Sequence, residues 1–299
     1  MPGSFCLFAG TSVVEATVLV SVIIPTFNRA AFVREAVASV LAQRDARFEL
    51  IVIDDGSCDD TAALLRREFG DLVEITCTDN RGVSAARNLG VRRSRGDLVA
   101  FLDSDDLWLP EKLAIQLAFF KEHPDAQICQ TEEVWIRHGR PLVPRPYLRK
   151  LSGSIFEPSL RRCMVSPSAV MLRRELFDRR GGFDETLPAC EDYDLWLRIA
   201  VDTQIPLIEA PLVIRRAGHD DQLSRRHWGM DRFRIAALMK LLAHEALSTE
   251  QRRCAVAVLS EKCRIVAAGA AKRGRTEEAQ RYAMIAQLWQ DAVGSCSPV

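Results

Sequence analysis

From Val18 onward, short β-branched runs alternate with amphipathic stretches, and this alternation constrains the fold more than any other feature of the chain. Strands are expected at Val18 to Ile24, Leu50 to Ile53, Val73 to Thr76 and Leu98 to Leu102. Helical patterns fill the gaps at Ala31 to Leu41, Thr61 to Phe69 and Ser84 to Arg93. A βαβ series of this kind needs right-handed crossovers. It therefore predicts an α/β fold: a Rossmann-like, mostly parallel sheet with helices on both faces. Ligands of such sheets bind beyond the carboxyl ends of the strands. Polar punctuation stands at those ends: Pro25 to Arg29, Asp54 to Ser57, Asp79 to Gly82 and Asp103 to Asp106.

Further along, Pro110 suits the first turn of a helix reaching about His123, and Ala126 to Gln130 reads as a strand. Arg137 to Pro146, with three prolines, reads as a loop or flap. Ser168 to Leu172 is expected to be a strand, Gly181 to Phe183 a turn, and Asp192 to Ala200 a helix. Ile205 to Arg215 is a further strand, with Pro206 and Pro211 at its ends or at an edge. From about Trp228 to Gln290 the pattern is helical, broken near Ser248-Thr249 and Gly274. The expected organisation is an N-terminal extension (1–17), an α/β domain (18–227, split at 137/138) and a C-terminal helical region (228–299). Residues 1–17 lack a basic start and a sustained apolar stretch, so no signal peptide is expected there.

Lysine plus arginine and aspartate plus glutamate both number 40 in 299 residues, so no global field draws in nucleic acid. Arginine pairs such as Arg173-Arg174 and Arg215-Arg216 could meet an anionic acceptor or a lipid phosphate, though solvated helix ends and loops are the commoner meaning of such runs. Nine cysteines without a paired spacing suit a reducing cytosol, with the inner membrane face left open. The apolar runs are shorter than the roughly 20 residues that span a bilayer, which leaves peripheral association open.

Asp103-Ser104-Asp105-Asp106 carries the most chemistry. A buried strand ending in three carboxylates presents hard oxygen ligands that a divalent cation can bridge to phosphate. Without a counter-charge the three repel one another and raise one another's pKa. The blander reading is helix N-capping, which accounts for one aspartate but not three.

Ser21 to Arg29, Ile53 to Ser57, Asn80 to Asn88, Leu102 to Asp106 and Glu191-Asp192 occur in an order and spacing that resembles family 2 glycosyltransferases, over about Val18 to Ser224. The resemblance implies a GT-A fold and transfer of one sugar from a nucleoside-diphosphate donor to a hydroxyl, with Mg2+ or Mn2+ as cofactor. It implies that Asp55 accepts a hydrogen bond from the base; an imide N–H would suit it, hence a UDP- or TDP-linked sugar. Pro25, Thr26, Asn28 and Asp54 are then expected at the nucleotide, and Arg81 or Arg87 at the diphosphate. Asp105 and Asp106 would serve ribose and metal, Asp192 would be the general base with Glu191 orienting it, and His219 would add a metal ligand. The expected acceptor is a glycan, lipid-linked or small-molecule hydroxyl, without nucleic acid; the oligomeric state is not legible.

Local alternatives stand beside each role. Asp54-Asp55 could be a turn that caps the next helix, Glu191-Asp192 a helix start, and Trp108 and Trp196 core residues rather than sugar platforms. At the level of function the rivals are a nucleotidyltransferase and a catalytically silent nucleotide- or carbohydrate-binding module. The first lacks a Gly-rich, lysine-bearing phosphate loop near Pro25 to Arg29. The second would have no need of Asp192.

Overall fold

The computed structural model describes residues 18–142, 149–218 and 229–294. In chain order, β1 (Leu19–Thr26), α1 (Ala30–Leu41), β2 (Arg47–Asp54), α2 (Thr61–Phe69), β3 (Glu74–Cys77), α3 (Val83–Arg93) and β4 (Leu98–Phe101) realise the expected βαβ series. β1 pairs in parallel with both β2 and β4, and β2 with β3. β1 is buried on both faces. Its even members Val22 and Ile24 join the core under α1, while Ile23 joins the opposite core with Val91 of α3, so a continuous apolar run was required there.

The chain then continues through β5 (Leu107–Trp108), α4 (Lys112–Glu122), β6 (Ile128–Arg137), β7 (Arg140–Leu142), α5 (Phe156–Arg161), β8 (Val170–Arg173), α6 (Arg174–Arg179), α7 (Glu191–Ala200) and β9 (Leu207–Ala217). Among the described residues the sheet has nine strands in the order β3-β2-β1-β4-β8-β6-β9-β5, with β7 on β6. Of the mostly parallel sheet expected, the parallel pairs are those of the first four strands and β6/β9. β8 runs antiparallel to β4 and to β6, so the sheet is mixed.

Two local expectations are corrected. Arg137 opens a hairpin rather than a flap: β6 and β7 meet through His138-Gly139, both at positive φ, the conformation a two-residue turn needs to follow strand twist. Residues 143–148 of that stretch lie outside the described residues. Pro211 lies neither at an end nor at an edge of β9 but opposite Glu132, where the β6/β9 register shifts. A residue without an N–H is tolerated at such an irregularity because the ladder is already interrupted there.

Helices Asp231–His244, Thr249–Ala271 and Thr276–Gly294 follow. Ser248 caps the second of them in a capping box with Gln251. Leu238, Leu241, Leu259 and Tyr282 share one core with Phe101 and Trp196, so these helices join the core that contains α7, the first of them packing on it. Lys240 ties them down further, its Nζ 2.6 Å from Asp184 and 2.7 Å from Asp194. Among the described residues, no helix is long and apolar enough to cross a membrane.

α3 can lie close on the sheet because Gly90 has no side chain; a Cβ there would come 2.4 Å from Ile23 Cγ2. Gly90→Ala is expected to lower stability by about 1–3 kcal/mol, as overpacking does, read from urea unfolding midpoints. An unchanged midpoint would mean that α3 is free to shift.

Candidate active site

The carboxyl ends of β1, β2 and β4 open on one cleft of about 450 Å³, walled on the far side by the start of α7 and the end of β9. Pro25, Thr26, Arg29, Asp55, Arg87, Asp103, Asp105, Asp106, Glu191, Asp192 and Arg215 all line it. Residues spread across the chain are thus assembled where a doubly wound sheet places its ligands.

Asp55 follows β2, and its own N–H donates to Thr26 O at 2.9 Å. Its two carboxylate oxygens accept the backbone N–H groups of Arg81 at 2.9 Å and Gly82 at 2.8 Å, so Asp55 organises the loop that enters α3. Gly82 sits at φ +93, which an L side chain resists. Asp54 lies beneath this turn and accepts the Ser57 N–H at 3.0 Å; it does not line the cleft. Asn28 likewise braces the turn, its Oδ1 accepting the Cys58 N–H at 2.7 Å. The Arg81 side chain points away to an ion pair with Glu185 at 3.0 Å.

Asp103, Asp105 and Asp106 each offer a carboxylate oxygen, all within 4.8 Å of one another. Arg29 Nη1 stands 3.0 Å from Asp105 Oδ2. Asp106 is buried, accepting the Ser168 hydroxyl at 2.6 Å and the Arg216 N–H at 3.1 Å. Burial, followed by repulsion from Asp105, pushes its pKa up to about 8. Three hard oxygens in one place, one of them forced toward its protonated form, are a donor set that fits a divalent cation of the Mg2+ or Mn2+ type.

Arg87 is the hub. Its guanidinium is 4 % exposed and donates to Asp103 Oδ1 at 2.6 Å and to Glu191 Oε1 at 2.7 Å, linking the aspartate cluster to α7. It also lies over the Phe183 ring at 5.0 Å. Burial raises the Glu191 pKa, with the Asp192 charge adding to it and Arg87 working against it. Asp192 is half-buried and faces the cleft; the Cys163 thiol stands 3.4 Å from its Oδ2, and burial followed by the Asp192 charge holds that thiol well above its ordinary pKa. Cys190, at φ +64, turns the chain into α7.

Trp108 and Trp196 are both buried in the core. His219 lies outside the described residues. Several members were not singled out for the site from sequence: Ser168, which also accepts the Asp103 N–H at 3.1 Å, and Cys163, Arg216 and Arg234. The pair Arg215-Arg216 was visible as a charge run, but nothing in the run says which way it faces. Ser168 and Cys163 carried no signal, since both lie in the connection between α5 and β8, from which Cys163 lines the cleft and Ser168 holds Asp106 from behind.

This architecture is that of GT-A-type proteins. The solved structure of S. aureus TarS residues 1–349 with UDP-GlcNAc superimposes with a TM-score of 0.62, at 17% identity, over 89% of this chain and 90% of that one. The mannosyltransferase of Pyrobaculum calidifontis in complex with GDP-Man and Mn2+ gives a TM-score of 0.58 at 21% identity, over 92% and 87%. The family model of glycosyl transferase family 2 matches residues 21–181, and the chain belongs to that family. An uncharacterized glycosyltransferase of Rickettsia felis is 36% identical over 194 residues, 64% of this chain and 32% of its own. The chain thus spans about a third of the length of that relative.

Two outcomes test this geometry. Arg87→Met leaves buried carboxylates unpaired and should cost about 3–5 kcal/mol. Glu191, its folded pKa raised still further, then favours folding only while protonated, so the deficit in urea midpoint should shrink from pH 8 to pH 5. For Asp106, a folded pKa of about 8 against an ordinary 3.8 means a contribution present at low pH and lost as pH rises through 8. In EDTA, wild type should therefore lose thermal stability relative to Asp106→Asn as pH rises from about 5 to 8, with no further loss above 8; parallel curves would contradict the raised pKa.

Proposed function

We propose that this protein transfers a single sugar from a nucleoside-diphosphate donor to an acceptor hydroxyl with inversion, using Asp192 as general base. The carrying observation is that the aspartate cluster and Asp192 open on one cleft, with Arg87 tying their supports together. The donor is proposed to lie along the part formed by residues 18–137, the acceptor along 138–227, with the helices of 228–299 buttressing α7.

Asp55 presents a fixed carboxylate at the base end of the cleft. An anionic oxygen takes more than one donor, so the Arg81 and Gly82 N–H groups leave it able to accept a uracil or thymine imide. Thr26 adds a buried Oγ1 without a hydrogen-bond partner, the kind of atom a bound ligand satisfies. The nucleotide sugars in the TarS and mannosyltransferase complexes support a donor of this class.

Asp103, Asp105 and Asp106 would hold Mg2+ or Mn2+, which supplies positive charge to the donor diphosphate. The acceptor oxygen attacks the anomeric carbon while its proton passes to Asp192. The bond from that carbon to the phosphate oxygen breaks, and its electron pair stays on the departing nucleoside diphosphate. Asp192 suits the base role because it is half-exposed to the cleft, whereas Glu191 is buried and committed to Arg87. Glu191 therefore orients the start of α7.

Calorimetric titration with UDP, TDP, GDP and CDP, with and without Mn2+, tests the donor half. One diphosphate should bind in a metal-dependent way and be greatly weakened in Asp106→Asn. Asp192→Asn should keep that affinity yet lower turnover by about 10²-fold or more, as loss of a general base does. Unchanged turnover would remove Asp192 from the chemistry, and no binding of any diphosphate would favour a silent module.

A further inference from the structure

Among the described residues five arginines line the cleft, and four are already engaged by carboxylates. Arg87 holds Asp103 and Glu191, Arg29 holds Asp105, Arg216 pairs with Glu35, and Arg234 with Asp231 at 2.9 Å. Arg215 differs. Among the described residues its one ion-pair contact is Glu133 Oε2 at 3.8 Å, too long for a hydrogen bond. Glu133 has a closer partner in Lys150 Nζ at 3.2 Å, with both side chains at least nine-tenths buried. Lys150 and Arg215 thus share the Glu133 charge, and no side-chain hydrogen bond to a described residue holds the Arg215 guanidinium.

The Arg215 guanidinium is nonetheless held in place. It lies over the Trp135 ring at 4.8 Å, on a strand whose next residue donates its N–H to Asp106. Asp106, Asp103 and Asp192 all act on it electrostatically, so it faces both the aspartate cluster and the proposed base. With the diphosphate at the former and the acceptor hydroxyl at the latter, what lies between them is the bond that breaks. A planar fork of free N–H donors at that place suits a phosphate oxygen.

We propose that Arg215 is a catalytic residue that donates to the β-phosphate of the donor and stabilises the charge arriving there as the bond to the anomeric carbon breaks. The assignment rests on the transferase reading above and adds to it a cation from β9. A preorganised donor aimed at developing charge contributes mainly in the transition state.

The test compares Arg215→Gln and Arg215→Lys with wild type, using whichever nucleoside diphosphate wild type binds and the matching monophosphate, both with Mn2+. In Arg215→Gln, diphosphate affinity should fall about 10- to 100-fold, as loss of a charged hydrogen bond implies. Monophosphate affinity should stay within about twofold and turnover should fall, while Arg215→Lys should recover part of both. Equal loss of mono- and diphosphate binding would show a structural role and overturn the proposal. So would unchanged diphosphate affinity with a raised acceptor KM, which would place Arg215 on the acceptor. Failure of wild type itself to bind any diphosphate would instead sink the transferase reading, and this assignment with it.

Discussion

The buried Arg87 guanidinium, closed between Asp103 and Glu191, is the interaction on which the rest of the site depends. Three carboxylates at the end of β4 and two more at the start of α7 would repel across a cleft with little water to screen them. One buried arginine, delivered by α3 and paired through both its terminal nitrogens, converts that repulsion into a tie between two elements roughly a hundred residues apart in sequence. Such a tie is costly to break and contributes less than it costs, because both partners have given up hydration. Its value lies in position: it sets the aspartate cluster against Asp192.

Position also requires the second half of the sheet. β8 enters antiparallel beside β4, and the turn before it places Ser168 where one hydroxyl donates to Asp106 and accepts the Asp103 N–H. The Ser168 carbonyl in turn accepts the Trp108 Nε1–H at 2.7 Å. β9, bent at its irregular register with β6, then brings Arg215 and Arg216 over the same cluster. A purely parallel continuation would have carried these residues away from the carboxyl ends of β1 and β4.

The electrostatics of the cleft follow from that closure. Asp106 pays for burial with a raised pKa, while Asp105 leans on Arg29, and Arg215 faces the cluster while sharing Glu133 with Lys150. Acid and base are thus distributed so that added positive charge is welcome at the cluster and added negative charge is welcome beside it. That is the charge pattern of a cation and a diphosphate bound together.

Much of this was legible in the residues. Short β-branched runs alternating with amphipathic stretches determined β1 to β4 and the helices between them, since strands buried on both faces can satisfy those faces only under helices. Asp55 and Asp103 to Asp106 stood out because strand-end carboxylates demand an explanation, and Asp192, at a helix start, through the family resemblance. Asp54, Asn28 and Arg81 share that visible chemistry, yet they brace turns or pair on the surface, because side-chain direction at a turn depends on φ and ψ that composition does not encode. The sequence by itself determined which elements form and which residue types gather at the strand ends. Only the tertiary structure decided the mixed strand order, the pairing of Arg87 and the placement of Arg215, because each depends on long-range packing that no local pattern specifies.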